Sequence, residues 1–178
     1  MFCPCGSNEQ FKNCCLEIIK GYKQAHSPEQ LMRSRFSAYV INDAQYIYDS
    51  YSHHSQRSQS VNEIADWAST CKFIELIIHH VSPFNNHHSD HPTDLPTVQF
   101  TACYLTANKL YEMSEKSRFT KEVISKSDKT LASSHWVYID GDVYQHNEIR
   151  VIKRNDLCPC ALNKAKEAKL KFKKCCGK

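Results

Sequence analysis

The sequence predicts an α+β domain in which helices pack on one curved antiparallel sheet, with a small metal-binding segment at each end. Helix-capping residues follow the first cysteines and indicate helices in the first part of the domain. From Lys72 onward, alternating β-branched and aromatic residues indicate strands. Eight of the ten cysteines fall in two clusters near the two ends of the 178-residue chain. The 41% hydrophobic content suffices for one domain with a core but not for two ordinary domains.

The first predicted helix of the domain starts at a capping box. Ser27 is the cap, Pro28 takes the first helical position, and Gln30 is placed to complete the box. The apolar residues of this helix that we expect to be buried are Leu31, Phe36, Tyr39 and Val40.

Two further helices follow. Asn42-Asp43 breaks the first helix and caps a short one that runs to Tyr51. Ser60 and Glu63 form a second capping box, which opens a helix with Ile64 and Trp67 on one side.

Four strands are predicted in the rest of the domain, because apolar and polar residues alternate there. Asp140-Gly141-Asp142 is typical of a hairpin turn, and the Pro-, Asn- and His-rich residues 83–96 are expected to form a loop. The strands are predicted at Phe73–Val81, Thr97–Thr106, Leu110–Glu122 and His135–Ile139.

The cysteine clusters have the composition of metal sites. Four thiolates can form a tetrahedral shell around Zn²⁺, and chance enrichment would not repeat Cys-Pro-Cys and Cys-Cys at both ends. The spacing is C-x-C-x8-C-C in the first copy and C-x-C-x14-C-C in the second. Cys3, Cys5, Cys14 and Cys15 form the front cluster, and Cys158, Cys160, Cys175 and Cys176 form the back cluster.

Disulfides are the alternative. The chain starts Met-Phe-Cys-Pro and lacks the charged, apolar and small-residue segments that follow one another in a signal peptide. No apolar run reaches the length of a transmembrane segment. We therefore expect a cytoplasmic protein with reduced thiols. Adjacent cysteines can serve one ion only if a turn or helix start makes both converge. Otherwise a three-thiolate site with an open position remains, which would be reactive or could take iron instead of zinc.

The positive charge is concentrated near the end of the chain. Residues 153–178 hold nine Lys or Arg residues against two acidic ones, whereas the whole chain carries a formal charge of only +4. Such a cluster is commonly a solvated face, but it also attracts acidic proteins, phosphate backbones or anionic lipids. Its members are Lys164, Lys166, Lys169, Lys171, Lys173 and Lys174.

Several motifs resemble a known family. Arg154-Asn155-Asp156-Leu157-Cys158-Pro159-Cys160, with Lys173-Lys174-Cys175-Cys176-Gly177-Lys178, resembles the SEC-C motif, the zinc-binding tail of the bacterial translocase motor SecA. Cys3-Pro4-Cys5-Gly6-Ser7 with Phe11-Lys12-Asn13-Cys14-Cys15 is similar to a second copy. Together with the segment from Pro28 to Val40 and Ser117-Arg118-Phe119, the whole chain resembles the bacterial YchJ-like family.

This resemblance implies a nuclear-transport-factor-2-like cone, residues 21–153, between two zinc modules. We call residues 1–20 the front module and residues 154–178 the back module. The biochemical role of the family is largely unassigned. The comparable motif of SecA contacts the export chaperone SecB and translation-linked partners, so the resemblance implies docking on an acidic partner of this kind.

The back module departs from the pattern. Ala161-Leu162 replaces Gly-Ser after the second cysteine, and six extra residues lengthen the span to Cys175. Glycine would permit a tight turn toward the metal, and serine could donate to a thiolate, so a looser or partly occupied site is expected. The segment from Ala165 to Leu170 has high helix propensity.

A cone of this fold often encloses a pocket, and its candidate residues divide between two interpretations. They either line a ligand site or are structural, with the aromatic ones in the core and the arginines paired to carboxylates such as Glu122 or Asp66. Core packing is favoured over catalysis because no nucleophile and base can be identified together. The candidates are Arg35, Tyr39, Trp67, Glu75, Arg118 and Trp136.

The remaining metal-ligating residue types are expected to be structural. His87, His88, Asp90, His91 and Asp94 share one loop without regular spacing, which indicates polar surface more than a second metal site. The pairs His53-His54 and His79-His80 lie elsewhere. Cys71 and Cys103 lie in or beside apolar segments and behave as buried thiols.

The first functional hypothesis is therefore an adaptor with two zinc ions, whose back module docks on an acidic macromolecule. The alternative is a cone that binds or transforms a small molecule and is only braced by zinc. A third hypothesis, thiol redox chemistry, requires an incomplete cluster. Direct nucleic-acid binding is disfavoured because Phe172 is the one aromatic residue among the lysines.

Overall fold

A computed structural model describes residues 1–82, 95–124, 133–164 and 166–177. The order of elements is helices first and strands second, as predicted. The helices are α1 (Cys15–Ile19), α2 (Pro28–Ile41), α3 (Ala44–Asp49), α4 (His53–Gln56), α5 (Val61–Thr70) and α6 (Ala161–Lys164). The strands are β1 (Lys72–Val81), β2 (Thr97–Thr106), β3 (Lys109–Ile124) and β4 (Ser133–Val151).

The helix caps predicted at Ser27 and Ser60 are confirmed, but the reciprocal bond of a capping box, from the third helical side chain to the N–H of the cap, forms at neither. Ser27 Oγ accepts from the backbone N–H of Gln30 at 3.1 Å, while Gln30 Oε1 accepts from the N–H of His26 at 2.6 Å, one residue before the cap. Ser60 Oγ accepts from the N–H of Glu63 at the start of α5. These bonds satisfy backbone donors that the first turn of a helix leaves free.

The break between α2 and α3 is also confirmed. Asn42 adopts a left-handed conformation with φ of 57° and ends α2. Asp43 then caps α3, since its Oδ1 accepts from the N–H of Tyr46 at 3.1 Å. After this turn α3 packs against α2, since Ala44 and Ile47 share a buried cluster with Ala38.

The four strands form one antiparallel sheet in the order β1-β2-β3-β4. Its inner face packs against α2 because alternate residues of β2 are apolar. Phe36 of α2 meets Phe73 of β1 edge to face, with ring centroids 5.8 Å apart. Buried side chains of this core include Leu31, Phe36, Val98, Phe100, Ala102, Tyr104, Phe119 and Trp136.

The hairpin predicted at Asp140-Gly141-Asp142 is wrong, because β4 continues through it and Gly141 pairs with Ser117. A Cβ at Gly141 would overlap the carboxyl of Glu115, so the glycine provides room for a neighbouring side chain instead of a turn. The hairpin between β2 and β3 turns at Ala107 and Asn108, both with positive φ.

Both terminal modules pack against the domain. The front module shares a buried cluster with Ala38, Ala44 and Ile64 of the helical layer. The back module packs on Cys103 and Leu105, which alternate with the inner residues of β2 and therefore lie on the outer face of the sheet. None of the helices in the described ranges combines the length and apolar composition that a membrane crossing requires.

Candidate metal centres

The sulfur atoms of each cysteine cluster converge on one point. In the front cluster all four Sγ atoms lie within 4.8 Å of one another, and Cys14 Sγ is 3.8 Å from Cys5 Sγ and 3.9 Å from Cys15 Sγ. A tetrahedron of thiolates about 2.3 Å from zinc has edges of about 3.8 Å. The front cluster therefore has the donor set and the size that a zinc ion requires.

The back cluster has the same dimensions. Its four Sγ atoms also lie within 4.8 Å of one another, and Cys160 Sγ is 3.6 Å from both Cys158 Sγ and Cys175 Sγ. All four thiols of each cluster contribute, so each arrangement matches a closed four-thiolate site more closely than a three-thiolate site with an open position.

An unusual backbone conformation makes the adjacent cysteines converge. In the front module a 3₁₀ turn, Phe11–Asn13, ends at Cys14, whose φ and ψ are −125° and −116°, and α1 starts at the next residue. In the back module the 3₁₀ turn Phe172–Lys174 ends at Cys175 with φ of −131° and ψ of −103°. The extra residues of the back copy thus leave the conformation of the Cys-Cys pair unchanged.

The duplication extends beyond the cysteines. In each module the residue before the first cysteine forms a β-bridge with a residue four positions before the Cys-Cys pair. The phenylalanine that follows the second bridged residue, Phe11 or Phe172, is buried. These bridges join Phe2 to Gln10 and Leu157 to Lys171. The modules are two copies of one small fold.

The front module uses glycine and serine as expected. Gly6 has φ of 79°, a left-handed conformation that glycine adopts without strain. Ser7 Oγ lies 3.3 Å from Cys14 Sγ, and Ser37 Oγ of α2 lies 3.7 Å from Cys3 Sγ. Two hydroxyls therefore support the thiolates of this cluster.

The back module replaces this turn with α6 and a buried asparagine. Asn163 Nδ2 donates to the carbonyl oxygens of Cys158 and Leu170 at 2.9 and 3.1 Å, and its Oδ1 accepts from the N–H of Leu170 at 2.7 Å. Asn163 is only 1% exposed. The sequence does not predict this role, because nothing in it distinguishes an asparagine that stabilises a loop from one on the surface.

The clusters differ in exposure. Three of the four front thiols are buried, and Cys14 is half-buried. In the back cluster both Cys175 and Cys176 are half-buried. Solvent and competing ligands therefore reach the back cluster more readily.

Sharing of protons among the thiols shifts their pKa values. In the front cluster a hydrogen bond from Cys15 lowers the pKa of Cys3. In the back cluster a hydrogen bond from Cys176 lowers the pKa of Cys160 to about 5, while burial raises the pKa of Cys175 to about 11. A metal ion must displace the remaining protons, so its binding releases protons and weakens in acid.

Three of the six candidate pocket residues line a common cavity, and the other three lie elsewhere. Arg35, Tyr39 and Trp67 line one cavity under the sheet. Glu75 instead pairs with Lys164, with 2.6 Å between the oxygen and nitrogen atoms. Trp136 lies in the core, with Lys121 Nζ 5.0 Å from its ring centroid.

The expected partners of the two arginines need correction. Arg118 Nε donates to Asp140 Oδ1 at 2.5 Å and its Nη1 donates to Asp142 Oδ2 at 2.6 Å, so it pairs with neither Glu122 nor Asp66. Arg35 forms no ion pair with any carboxylate of the described residues.

The candidate histidines and single thiols have ordinary surroundings where the structure describes them. His53 Nδ1 lies 2.8 Å from Glu122 Oε2, and His79 Nε2 lies 2.7 Å from Thr101 Oγ1. Burial raises the pKa of Cys71 and raises that of Cys103 to about 11, which keeps both thiols protonated. The loop with His87, His88, Asp90, His91 and Asp94 lies outside the described residues.

The lysines of the back module remain largely exposed. Lys166, Lys169, Lys171 and Lys174 are exposed, and Lys173 is half-buried. Lys164 alone among the six candidates forms an ion pair with a described carboxylate. The positive charge predicted for this module is therefore at the surface.

Comparison with known proteins agrees with this architecture. A family model described as YchJ, middle NTF2-like domain, matches residues 27–141, and a SEC-C motif model matches residues 3–17. A SEC-C motif containing protein from Rhodopseudomonas palustris, solved in solution, is 24% identical, with 82% of this chain and 100% of that chain covered and a TM-score of 0.64. The crystal structure of a SEC-C motif containing protein from Psychrobacter arcticus is also 24% identical, with 99% and 96% covered and a TM-score of 0.65.

At this identity the two solved structures establish the fold alone. The family model spans more than half of the chain, and it covers the helices and sheet that form the cone. The chain belongs to the YchJ-like family, with an NTF2-like middle domain and a SEC-C motif.

Proposed function

We propose that this protein is a zinc-binding adaptor whose back module, residues 154–178, docks on an acidic segment of a partner protein. The front module, residues 1–20, and the cone, residues 21–153, form the body that carries it. By analogy with SEC-C motifs, the partner is an export chaperone or a component of the translation machinery.

One observation carries this proposal: the two modules share a fold but differ in charge. In the front module Lys12 is exposed, while Lys20 lies 3.6 Å from Asp43. The back module presents five lysines that form no ion pair with any described carboxylate. A zinc site needs no such lysines, so their concentration on one copy supports a role in binding.

The attachment of the back module supports the same conclusion. Lys72 Nζ donates to the carbonyl oxygen of Cys176 at 2.9 Å, and Phe172 is buried against the sheet. The lysines therefore project from an ordered platform, which lowers the entropic cost of binding. Zinc is the ion consistent with the four-thiolate geometry, and it would supply rigidity without redox chemistry.

The test uses a peptide of about 12 residues that alternates Glu with Ser, titrated into the full zinc-loaded chain by fluorescence anisotropy. We expect binding that weakens between about 50 and about 300 mM salt, because screening shortens the reach of exposed charges. Lys166→Glu with Lys169→Glu should abolish it, while the matched charge reversal Lys12→Glu with Lys116→Glu should not. Equal losses in both double variants would disprove docking at the back module. Tighter binding of single-stranded RNA of equal length would show that the partner is a nucleic acid.

A further inference from the structure

A cavity of about 210 Å³ lies between α2 and the inner face of the sheet. Aromatic and other apolar side chains form most of its walls, and Trp67 at 41% exposure lies at its rim. The same walls contain Arg35 and Glu115, two groups of opposite charge that form no ion pair with each other.

Arg35 is a buried cation without a carboxylate partner among the described residues. It is 3% exposed, and its guanidinium carbon lies 4.4 Å from the ring centroid of Tyr51 and 4.2 Å from that of Tyr138. Its Nη1 donates to the carbonyl oxygen of Ile47 at 3.1 Å and to Ser50 Oγ. The Tyr51 hydroxyl is a further acceptor, and because a guanidinium has five N–H donors, these three acceptors leave part of it available.

Burial lowers the pKa of Arg35, but the phenols of Tyr51, Tyr39 and Tyr138 raise it by more, so the side chain stays charged. A buried charge without an ion-pair partner is costly to retain. The hydrogen bonds to Ile47 and Ser50 join α2 to α3 and explain part of this cost. They do not explain why the guanidinium also borders a cavity.

Glu115 lines the same cavity, and its carboxyl is held in place by neighbouring side chains. Its Oε1 accepts from Ser117 Oγ at 2.6 Å and from the Tyr138 hydroxyl at 2.9 Å, and the residue is 9% exposed. Tyr138 therefore contacts Arg35 with its ring and Glu115 with its hydroxyl. Gly141 provides the space for this carboxyl, because any Cβ there would overlap it. The position of Glu115 is thus fixed by three residues.

We propose that this cavity binds a small net-neutral organic molecule in which an oxygen acceptor contacts Arg35, an N–H donor contacts Glu115, and a flat apolar body contacts the aromatic walls. A ligand with one charge would bond to one of the two groups and leave the other without a ligand partner, whereas a neutral dipolar ligand can bond to both. Apolar walls with a few convergent polar groups are typical of small-molecule sites. This proposal does not depend on docking by the back module.

The first experiment compares four probes of one shape with the full zinc-loaded chain by ¹H–¹⁵N chemical-shift perturbation. The probes are phenylacetamide, phenylacetate, phenethylamine and ethylbenzene. We expect phenylacetamide to bind roughly tenfold more tightly than ethylbenzene, because it can bond to both polar groups. The shifts should centre on residues of the cavity. Equal or tighter binding of ethylbenzene or of either ionic probe, or no shift with any probe, would overturn the proposal.

The second experiment uses variants that keep the fold testable. Ala102→Leu fills the cavity without changing a charge and should abolish phenylacetamide binding. Glu115→Leu with Tyr138→Phe removes the acceptor and its buried donor together, and should weaken phenylacetamide roughly tenfold while ethylbenzene is unaffected. The surface variant Arg118→Gln, whose side chain pairs with Asp140 and Asp142 outside the cavity, is the control and should bind like the original chain. Unchanged phenylacetamide affinity after removal of Glu115 would contradict the assigned role.

Discussion

Lys164 Nζ lies 2.6 Å from Glu75 Oε2 and joins the back module to β1. At the neighbouring residue of β1, the Leu76 carbonyl oxygen faces Gly6 of the front module, where an added Cβ would meet it at 3.8 Å. The two cysteine modules, far apart in the sequence, therefore lie beside consecutive residues of one strand.

The ion pair should matter for the back module more than for the whole domain. Lys164→Ala should change the global free energy of unfolding by less than about 1 kcal/mol, since the lysine is 56% exposed. Hydrogen exchange of residues 155–177 should accelerate. The control Lys23→Ala removes a comparable exposed pair with Glu17 at 2.7 Å and should leave that exchange unchanged. If both variants exchange like the original chain, Lys164 does not fasten the module.

Asn163 should determine how firmly the back cluster holds its metal. Asn163→Ala removes three hydrogen bonds that fix the loop between Cys160 and Leu170. We expect the metal dissociation constant of the back cluster to rise by about 10–100-fold. Competition with a chromophoric chelator measures this loss of affinity, because the first equivalent of metal should leave the variant at a lower chelator concentration.

The matched control for this experiment is Asn13→Ala in the exposed turn of the front module, which should release metal as the original chain does. Simultaneous release of both equivalents from the original chain would contradict the difference in exposure between the two clusters.

Gly141→Ala should destabilise the domain although the residue lies in a regular strand. The new methyl group would displace the Glu115 carboxyl from its bonds with Ser117 and Tyr138. Overpacking of this kind costs about 1–3 kcal/mol, which urea unfolding would measure. Val143→Ala, at an exposed residue of the same strand, is the control. Equal stability of the two variants would show that Glu115 moves aside freely.

Asp142 should titrate at a lower pH than an ordinary aspartate. The hydrogen bond from Arg118 lowers the pKa of Asp142, so its contribution to stability is present above the unfolded pKa near 4 and is lost as the pH falls through the lower folded pKa. Carboxyl ¹³C NMR would measure the midpoint. Arg118→Gln should return it to the ordinary value.

Glu148 is the internal control for this titration. Lys109 lowers the pKa of Glu148 by a separate hydrogen bond, so Arg118→Gln should leave the Glu148 midpoint unchanged. If the midpoint of Asp142 were the same with and without Arg118, the ion pair would not form in solution.

The sequence predicts the elements of this fold well where a local signal specifies them. Ser27, Asp43 and Ser60 mark helix starts because a side-chain oxygen bonds within three residues of itself. The alternation of Thr97–Thr106 gives β2 correctly because one face of that strand is buried against α2. The cysteine spacing brings each set of four sulfurs together as expected.

Long-range contacts account for what the sequence does not reveal. Gly141 carries a turn signal, but it lies within β4, where the Glu115 carboxyl of the neighbouring strand fills the space that a Cβ would take. The link between the back module and β1 depends on Lys164 and Glu75, which lie 89 residues apart in the sequence. The separation of Arg35 from Glu115 is equally invisible, since either residue could pair with any of several partners.

Zinc binding by both clusters can be measured from the metal content and the X-ray absorption spectrum of the chain purified under reducing conditions. We expect two zinc ions per chain, each with four sulfur ligands at about 2.3 Å. A chain without bound metal, or one in which Cys14-Cys15 and Cys175-Cys176 do not ligate, would contradict this expectation.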